Sequence, residues 1–464
     1  MRILETLSWA QIAQAIDARL EGEPGRPARG GSIDTRTLLR GDIFFALRGE
    51  QVDGHLYLGD ALQKGAAGAV VGDASRAPAG LCCLVVKDPA AALFELGRLV
   101  RSKTRARVVA ITGSTGKTTT KEFTGALLRK KGPVLSTTGN LNNHLGVPLT
   151  LMRLETDHWA AVFECGMSRA GELSRLSRLL RPDVAAVTNA ADVHLEFFDS
   201  VDQIARAKSE IFEGLAEGGV AVAPADDPRL AGPARAAASK RTLLFGDGPQ
   251  TSVWAETASM TLEGTRLTLH AAGEAPLAVS LKVPGPHSVS NFLAAASIAI
   301  ALGLSGADIA GGAPHLHSAG NRGGVRRLQG DILLIDDTYN SNPRALAAAV
   351  DTLALSQNRR RVACLGDMLE LGPTGPELHR AAGNEIASKI DLLLGVGPLG
   401  TEIVRGAKAL PEAAKRAFPD SNALAAQIGG LVNACDAVLV KGSRGARMER
   451  VVDALVAAHA EVAG

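Results

Sequence analysis

Two textures of apolar residues alternate along this chain. Unbroken apolar runs of strand length, "RVVAI" (107–111), "WAAVFECG" (159–166) and "DVAAVTNA" (183–190), are separated by stretches with helical spacing such as "GELSRLSRLLR" (171–181). Runs of this kind predict parallel strands buried on both faces, with helices covering them. The texture returns near the end in "DILLIDD" (331–337), "RRVACLGD" (360–367), "DLLLGVG" (391–397) and "DAVLVKGS" (436–443), each followed by a helical stretch. Between the two regions, "TSVWAETASMTLEGTRLTLH" (251–270) alternates in the manner of antiparallel strands. Residues 1–104 hold only short runs, such as "DIFFAL" (42–47) and "GAVV" (68–71).

The expected fold is therefore α/β in three domains: a small α/β unit over 1–104, a central parallel-sheet domain over 105–318, and a Rossmann-like α/β domain over 319–464. "RSKTRAR" (101–107) is charged and non-periodic and is expected to be a linker. Residues 319–330 hold four glycines and are expected to be a hinge.

Composition narrows the class. The 464 residues are 46% hydrophobic and 21% charged, as in a soluble globular protein. A net charge of +2 without a basic run gives no footprint for nucleic acid. Five cysteines, an odd number without a CxxC pair, fit a reducing cytoplasm. Glu5, Gln11 and Asp17 interrupt any signal-peptide core. The longest apolar stretch, Phe292 to Leu304, is too short to span a bilayer.

The candidate chemistry begins at "ITGSTGKTTTKEF" (111–123). A phosphate loop needs a strand to deliver the chain, small residues that turn backbone N–H groups toward the anion, and a helix that starts there. Gly113, Ser114, Thr115 and Gly116 supply the small residues. Lys117 would reach the β- and γ-phosphates, the Thr118 hydroxyl would hold Mg²⁺, and Thr119 continues the helix. The common pattern has four residues between its first glycine and the Gly-Lys pair, whereas here there are two. The competing reading is a strand–helix turn that carries a lysine.

Glu164 ends one apolar run and His194 follows the next, so both emerge at the carboxyl edge of the sheet, where ligands bind. Each also has a structural reading, as a surface charge or a lone histidine. In "VDQIARAKSEIFEGL" (201–215), Ile204, Lys208, Ile211, Phe212 and Leu215 form one helical stripe. Lys208 either snorkels to the surface or is held in a site and chemically altered. Asn291 opens an Ala-rich helix and could cap it.

Taken together, these residues resemble the Mur ligases, the ATP-dependent enzymes that extend the stem peptide of bacterial cell-wall precursors. The resemblance covers the whole chain, and a loop with two residues between its glycines is usual in that family. "TTGNLNNHLGVPLTL" (137–151), "DDTYNSNP" (336–343), "LGDMLELG" (365–372) and "VLVKGSRGARMERVV" (438–452) resemble the branch that joins D-alanyl-D-alanine to UDP-N-acetylmuramoyl-tripeptide. "SIDTRTLLRGDIFFALRGEQVDGHLYL" (32–58) resembles its UDP-sugar-binding domain. The Asp-Asn-Pro-Arg motif of the branch that adds the third amino acid is missing from the sequence.

The resemblance implies a set of roles. Lys117 and the loop amides hold the ATP phosphates. Thr118 and Glu164 serve one Mg²⁺, and His194 with a carbamylated Lys208 serves a second. Asn291 contacts the adenine. Arg322 and Asp337 reach the nucleotide when the domains close. Asp34, Thr35 and Arg36 bind the uridine diphosphate end, and Asn142 and Asn143 face the muramoyl part. Tyr339 and Asn340 fall in the substrate set. The implied protein is a monomeric cytoplasmic ligase without a membrane span. Two positions depart from the family pattern: Asn321 precedes Arg322 where glycine is usual, and Ser288 stands where asparagine is common. Other Mur-type ligases, a folylpolyglutamate synthase-like ligase, and a P-loop ATPase or kinase with a separate binding module are the alternatives.

Overall fold

The computed structural model describes all residues except 50–51, 192–197, 199, 238–240, 319 and 463–464. Three sheets follow one another along the chain: five strands within residues 19–85, nine within 107–281 and six within 324–441. The strands Arg107–Thr112, Ala160–Glu164 and Val184–Val187 pair in parallel at the centre of the second sheet. Nearly every residue in them is buried, as unbroken apolar runs require. The alternating stretch forms the antiparallel pair Val253–Thr261 and Gly264–Ala271 at one edge. The third sheet is parallel except for Gly324–Leu328 against Ile332–Asp337.

The three units are not separate beads. One apolar cluster runs from Leu4 and Ile12 through Phe94 to Phe163 and Leu230, so the first unit and one face of the central sheet share a core. The stretch expected to be a linker is helical as far as Lys103, at the end of the helix Pro89–Lys103. Arg101 in its last turn donates to the carbonyls of Leu180 and Arg181. Its charged residues lie outward while Leu96 and Val100 pack inward, a helical periodicity too short for the charge pattern to reveal. In the glycine-rich segment expected to be a hinge, Gly320 and Gly323 take φ +48° and +78°, and Gly324–Leu328 forms an edge strand of the third sheet.

A buried ion pair clamps the first two units. Asp42, fully buried at the start of the strand Asp42–Phe45, accepts from both ends of the Arg153 guanidinium at 2.9 and 2.6 Å. Arg153 Nη2 also donates to Gly31 O at 3.1 Å. Removing the arginine leaves the buried carboxylate with the Leu39 N–H at 3.1 Å and only the more distant Arg2 Nη1, at 3.8 Å, for a counter-charge. Arg153→Met is expected to cost about 3 kcal/mol, seen as an earlier first transition in guanidinium unfolding. An unchanged first midpoint would show that the clamp contributes nothing.

Candidate active site

The strand Arg107–Thr112 delivers the chain into the glycine loop, and the helix Lys117–Leu128 starts at its far end. Gly113 and Gly116 take φ +153° and +78°, and neither has room for a side chain. A Cβ would lie 1.8 Å from Thr188 Oγ1 at the first and 2.1 Å from Asn291 Oδ1 at the second. The loop is held in shape by the segment after the strand Val184–Val187. Thr188 Oγ1 donates to Thr115 O at 2.6 Å, Asn189 Oδ1 accepts from Thr115 N at 3.0 Å, and the Ser114 hydroxyl bridges to the backbone of Ala191. Lys117 Nζ donates to Gly113 O at 2.7 Å, and its desolvation holds the ammonium below the usual lysine range. Glu164 opposes that shift and Arg322 adds to it.

Two oxygens beside the loop are suited to a hard cation. Thr118 Oγ1 donates to Glu164 Oε2 at 2.7 Å, and Asn142 Nδ2 donates to Glu164 Oε1 at 3.0 Å. Hydroxyl and carboxylate oxygens are the donor set that Mg²⁺ prefers. His194 lies outside the described residues, and among the described residues no group of three or more His, Cys, Asp or Glu side chains gathers into a metal cluster.

Lys208 resolves one choice the sequence left open. Its side chain is 2% exposed, in the stripe with Ile204, Ile211 and Phe212, so it does not snorkel to the surface. It faces the same cavity as Lys117. Burial pushes its amine well below the usual lysine range, and the Lys117 charge pushes it the same way. Asn291 is resolved as well. The helix runs Pro286–Ala301 from Gly285, so Asn291 lies inside it and does not cap it. Its Oδ1 meets Thr120 Oγ1 at 3.4 Å and closes over Gly116.

The loop opens on a cavity of about 900 Å³ whose opposite wall comes from the third unit. Ser114, Thr115, Gly116, Lys117, Thr119, Asn142, Asn143, Glu164, Lys208 and Asn291 line one side, and Arg322, Asp337, Tyr339 and Asn340 the other. The Arg322 guanidinium stacks 3.7 Å from the Tyr339 ring centroid, and the Tyr339 hydroxyl bonds to Asn140. Asp337 is paired with the buried Lys441 at 2.6 Å. Asn143 has structural work of its own: its Oδ1 accepts from the N–H groups of Leu145 and Gly146. The departure at Ser288 is a buried residue of the cavity wall.

Asp34, Thr35 and Arg36 are not in this cavity; they follow the strand Gly30–Ser32 of the first sheet. Asp34 and Arg36 form a bidentate pair, and that hydrogen bonding holds the Asp34 carboxyl below its usual range. Sequence reasoning passed over Thr188, Asn189 and Lys441. The rule that found Glu164, a polar residue ending an apolar strand, applies equally to Thr188 after "VAAV" and to Lys441 after "AVLV".

A phosphate loop facing a second α/β unit across one cavity defines a nucleotide-dependent enzyme whose site is shared between two units. The chain belongs to the Mur ligase family. Profiles for the Mur ligase middle domain, the Mur ligase glutamate ligase domain and the Mur ligase family catalytic domain match residues 111–299, 321–444 and 29–96. It is similar to the UDP-N-acetylmuramoyl-tripeptide–D-alanyl-D-alanine ligases of Escherichia coli (38% identical, 97% of this chain and 98% of that one) and Haemophilus influenzae (34%, 97% and 98%). The crystal structure of MurF from Acinetobacter baumannii superposes with a TM-score of 0.87 at 34% identity, over 97% of this chain and 98% of the other. MurF from Thermotoga maritima in complex with ADP superposes at 0.81 with 27% identity, over 93% and 98%.

Lys117 is the one flexible cation rooted in the loop itself. Lys117→Ala is expected to lower kcat at least ~10²-fold with the fold intact. Steady-state turnover alongside circular dichroism checks this, and near-normal turnover would end the phosphate-loop assignment.

Proposed function

We propose that this chain is an ATP-dependent ligase that joins the amine of D-alanyl-D-alanine to the terminal carboxylate of UDP-N-acetylmuramoyl-tripeptide in peptidoglycan precursor synthesis. The observation that carries the reading is the single cavity in which the loop of Lys117, with Thr118 and Glu164 beside it, faces Arg322 and Asp337 of the third unit. End-to-end similarity to ligases of that name supports the choice of substrates. A related A. baumannii structure is named a UDP-N-acetylmuramoylalanyl-D-glutamyl-2,6-diaminopimelate–D-alanyl-D-alanyl ligase, and we take that tripeptide as the acceptor here. Residues 1–104 bind its UDP end through Asp34, Thr35 and Arg36. Residues 105–318 hold ATP, and residues 319–464 bring in the dipeptide and close on the nucleotide. Among the described residues, no helix is long and apolar enough to cross a membrane. The enzyme acts as a monomer in the cytoplasm.

The chemistry follows from the carboxylate. Its oxyanion is a poor leaving group, so amide formation in water stalls. Phosphoryl transfer from ATP to that carboxylate gives an acyl phosphate and ADP. The loop amides, Lys117 and Arg322 surround the transferring group with positive charge. Bound Mg²⁺ would neutralise phosphate charge, with Thr118 and Glu164 as its oxygen donors and His194 with Lys208 serving a second ion. The dipeptide amine attacks the acyl carbon, and the tetrahedral intermediate collapses to the amide and phosphate. Asn142 holds Glu164 in place. The Tyr339–Asn140 contact and Arg344 Nη1, 3.4 Å from Ala190 O, draw the third unit over the site, which excludes the water that would hydrolyse the acyl phosphate.

The deciding experiment is phosphate release by the purified protein. Release that requires both UDP-N-acetylmuramoyl-tripeptide and D-alanyl-D-alanine is expected. Steady hydrolysis of ATP with neither present would favour a P-loop ATPase or kinase.

We further propose that Lys208 is carbamylated. A neutral buried amine adds CO₂ readily, and the carbamate replaces a poorly placed cation with oxygen donors. Lys208→Ala is expected to be nearly inactive and to regain part of its rate in acetate, which supplies the missing oxygens. Normal activity of this variant without acetate would overturn the carbamate.

A further inference from the structure

Resting on that reading of the site, we propose that Arg175 binds a carboxylate of the acceptor's stem peptide other than the one that reacts. Arg175 lies in the helix Glu172–Leu180, on the wall of the cavity that also holds Lys117 and Glu164. Its guanidinium carbon sits 4.3 Å from the ring centroid of Phe94, in the long helix of the first unit. The arginine thus stands at the seam between the unit that holds the UDP end and the loop where the reacting carboxylate must arrive. On the proposed reading, an acceptor with its UDP end on the first unit and its carboxylate at the loop runs along this seam.

The charge of Arg175 is left over. Three carboxylates surround its helix, and each is engaged elsewhere. Glu172 accepts from the N–H groups of Ser168 and Arg169. Glu210 accepts from Gly171 N at 2.8 Å and Ser174 N at 3.3 Å. Glu213 accepts from the Ser174 hydroxyl and Arg178 at 2.6 and 3.0 Å. Among the described residues no carboxylate pairs with Arg175, and Phe94 is its one recorded side-chain partner. Stacking on an aromatic face orients the fork and leaves its N–H edge free for a planar anion.

The acceptor brings such anions. In an alanyl-D-glutamyl-diaminopimelate stem, the glutamyl residue keeps one carboxylate whichever of its two is in the chain. Diaminopimelate keeps one after the other is phosphorylated. Both are carboxylates within reach of the chain that threads the seam, and the chemistry of recognition is the same for either.

The test uses the full-length enzyme and three acceptors: the diaminopimelate tripeptide, its lysine counterpart without the extra carboxylate, and a tripeptide whose glutamyl carboxylate is amidated. Arg175→Met keeps a stem that packs on Phe94. It is expected to raise KM for the diaminopimelate acceptor roughly 10- to 100-fold, the worth of a hydrogen-bonded charge pair. Expected kcat and KM for ATP stay within about twofold, and Arg175→Lys falls between. One of the two altered acceptors is expected to show the raised KM with wild-type enzyme and no further rise with Arg175→Met, which identifies the carboxylate. An unchanged KM would overturn the proposal. So would a penalty of equal size on all three acceptors, or an equal loss of affinity for UDP-N-acetylmuramic acid without a peptide, which would move the arginine to the sugar diphosphate. If wild-type enzyme forms no product from any acceptor, the ligase reading itself fails, a result separate from the variant's behaviour.

Discussion

The site depends on a stretch of backbone held in a shape it would not keep alone. Ser114 and Thr115, between Gly113 and Gly116, lie in no helix or strand, so their backbone groups need partners from outside the loop: Ser114 N donates to Asn189 O and Thr115 N to Asn189 Oδ1, both at 3.0 Å. Thr188 and Asn189 meet that need from the neighbouring strand end by fixing Thr115 from both sides. Asn291 closes the other flank. Because these braces come from adjacent parallel strands and the helix above them, the loop inherits the rigidity of the central sheet.

Around this rigid centre, charge is arranged so that two domains are needed to complete it. The central sheet contributes Lys117, Glu164 and Lys208; the third unit contributes Arg322 and an Asp337 already paired with Lys441. Arg322 is oriented by Tyr339, whose hydroxyl reaches across to Asn140. Lys117 and Arg322 thus reach the cavity from different units, and the proposed phosphoryl transfer would need both. The contrast with the first two units is instructive. There the buried Asp42–Arg153 pair and a shared apolar core fix the arrangement, whereas the third unit is joined through a glycine-rich segment. Firm attachment on one side and a glycine-rich connection on the other would suit the proposed ligase, which must admit a large acceptor and then exclude water.

Much of this was legible from residue order because it rests on local rules. Continuous apolar runs marked the strands at Arg107, Ala160 and Val184, and alternation marked the antiparallel edge at 253–271. The short loop, Glu164 at a strand end and the apolar stripe around Lys208 followed from the same reasoning, since strand ends and helix faces are set by periodicity. Where two local readings competed, as with capping by Asn291 or snorkelling by Lys208, the chain alone could not choose. Each depends on what packs against the residue from elsewhere.

The sequence by itself determined the α/β texture, the strand that delivers the phosphate loop, the glycines that loop requires and the polar residues that end its neighbouring strands. Tertiary structure alone decided that 101–103 closes a helix instead of forming a linker, and that Thr188 and Asn189 brace the loop. It also brought Arg322 and Asp337, some 200 residues from Lys117 in sequence, to the same cavity, and among the described residues it left Arg175 without an acidic partner. The physical reason is range. Periodicity and turn chemistry act over a few residues, whereas desolvation of Lys208, pairing of charges and closure of a cavity depend on groups that meet only when the three sheets pack.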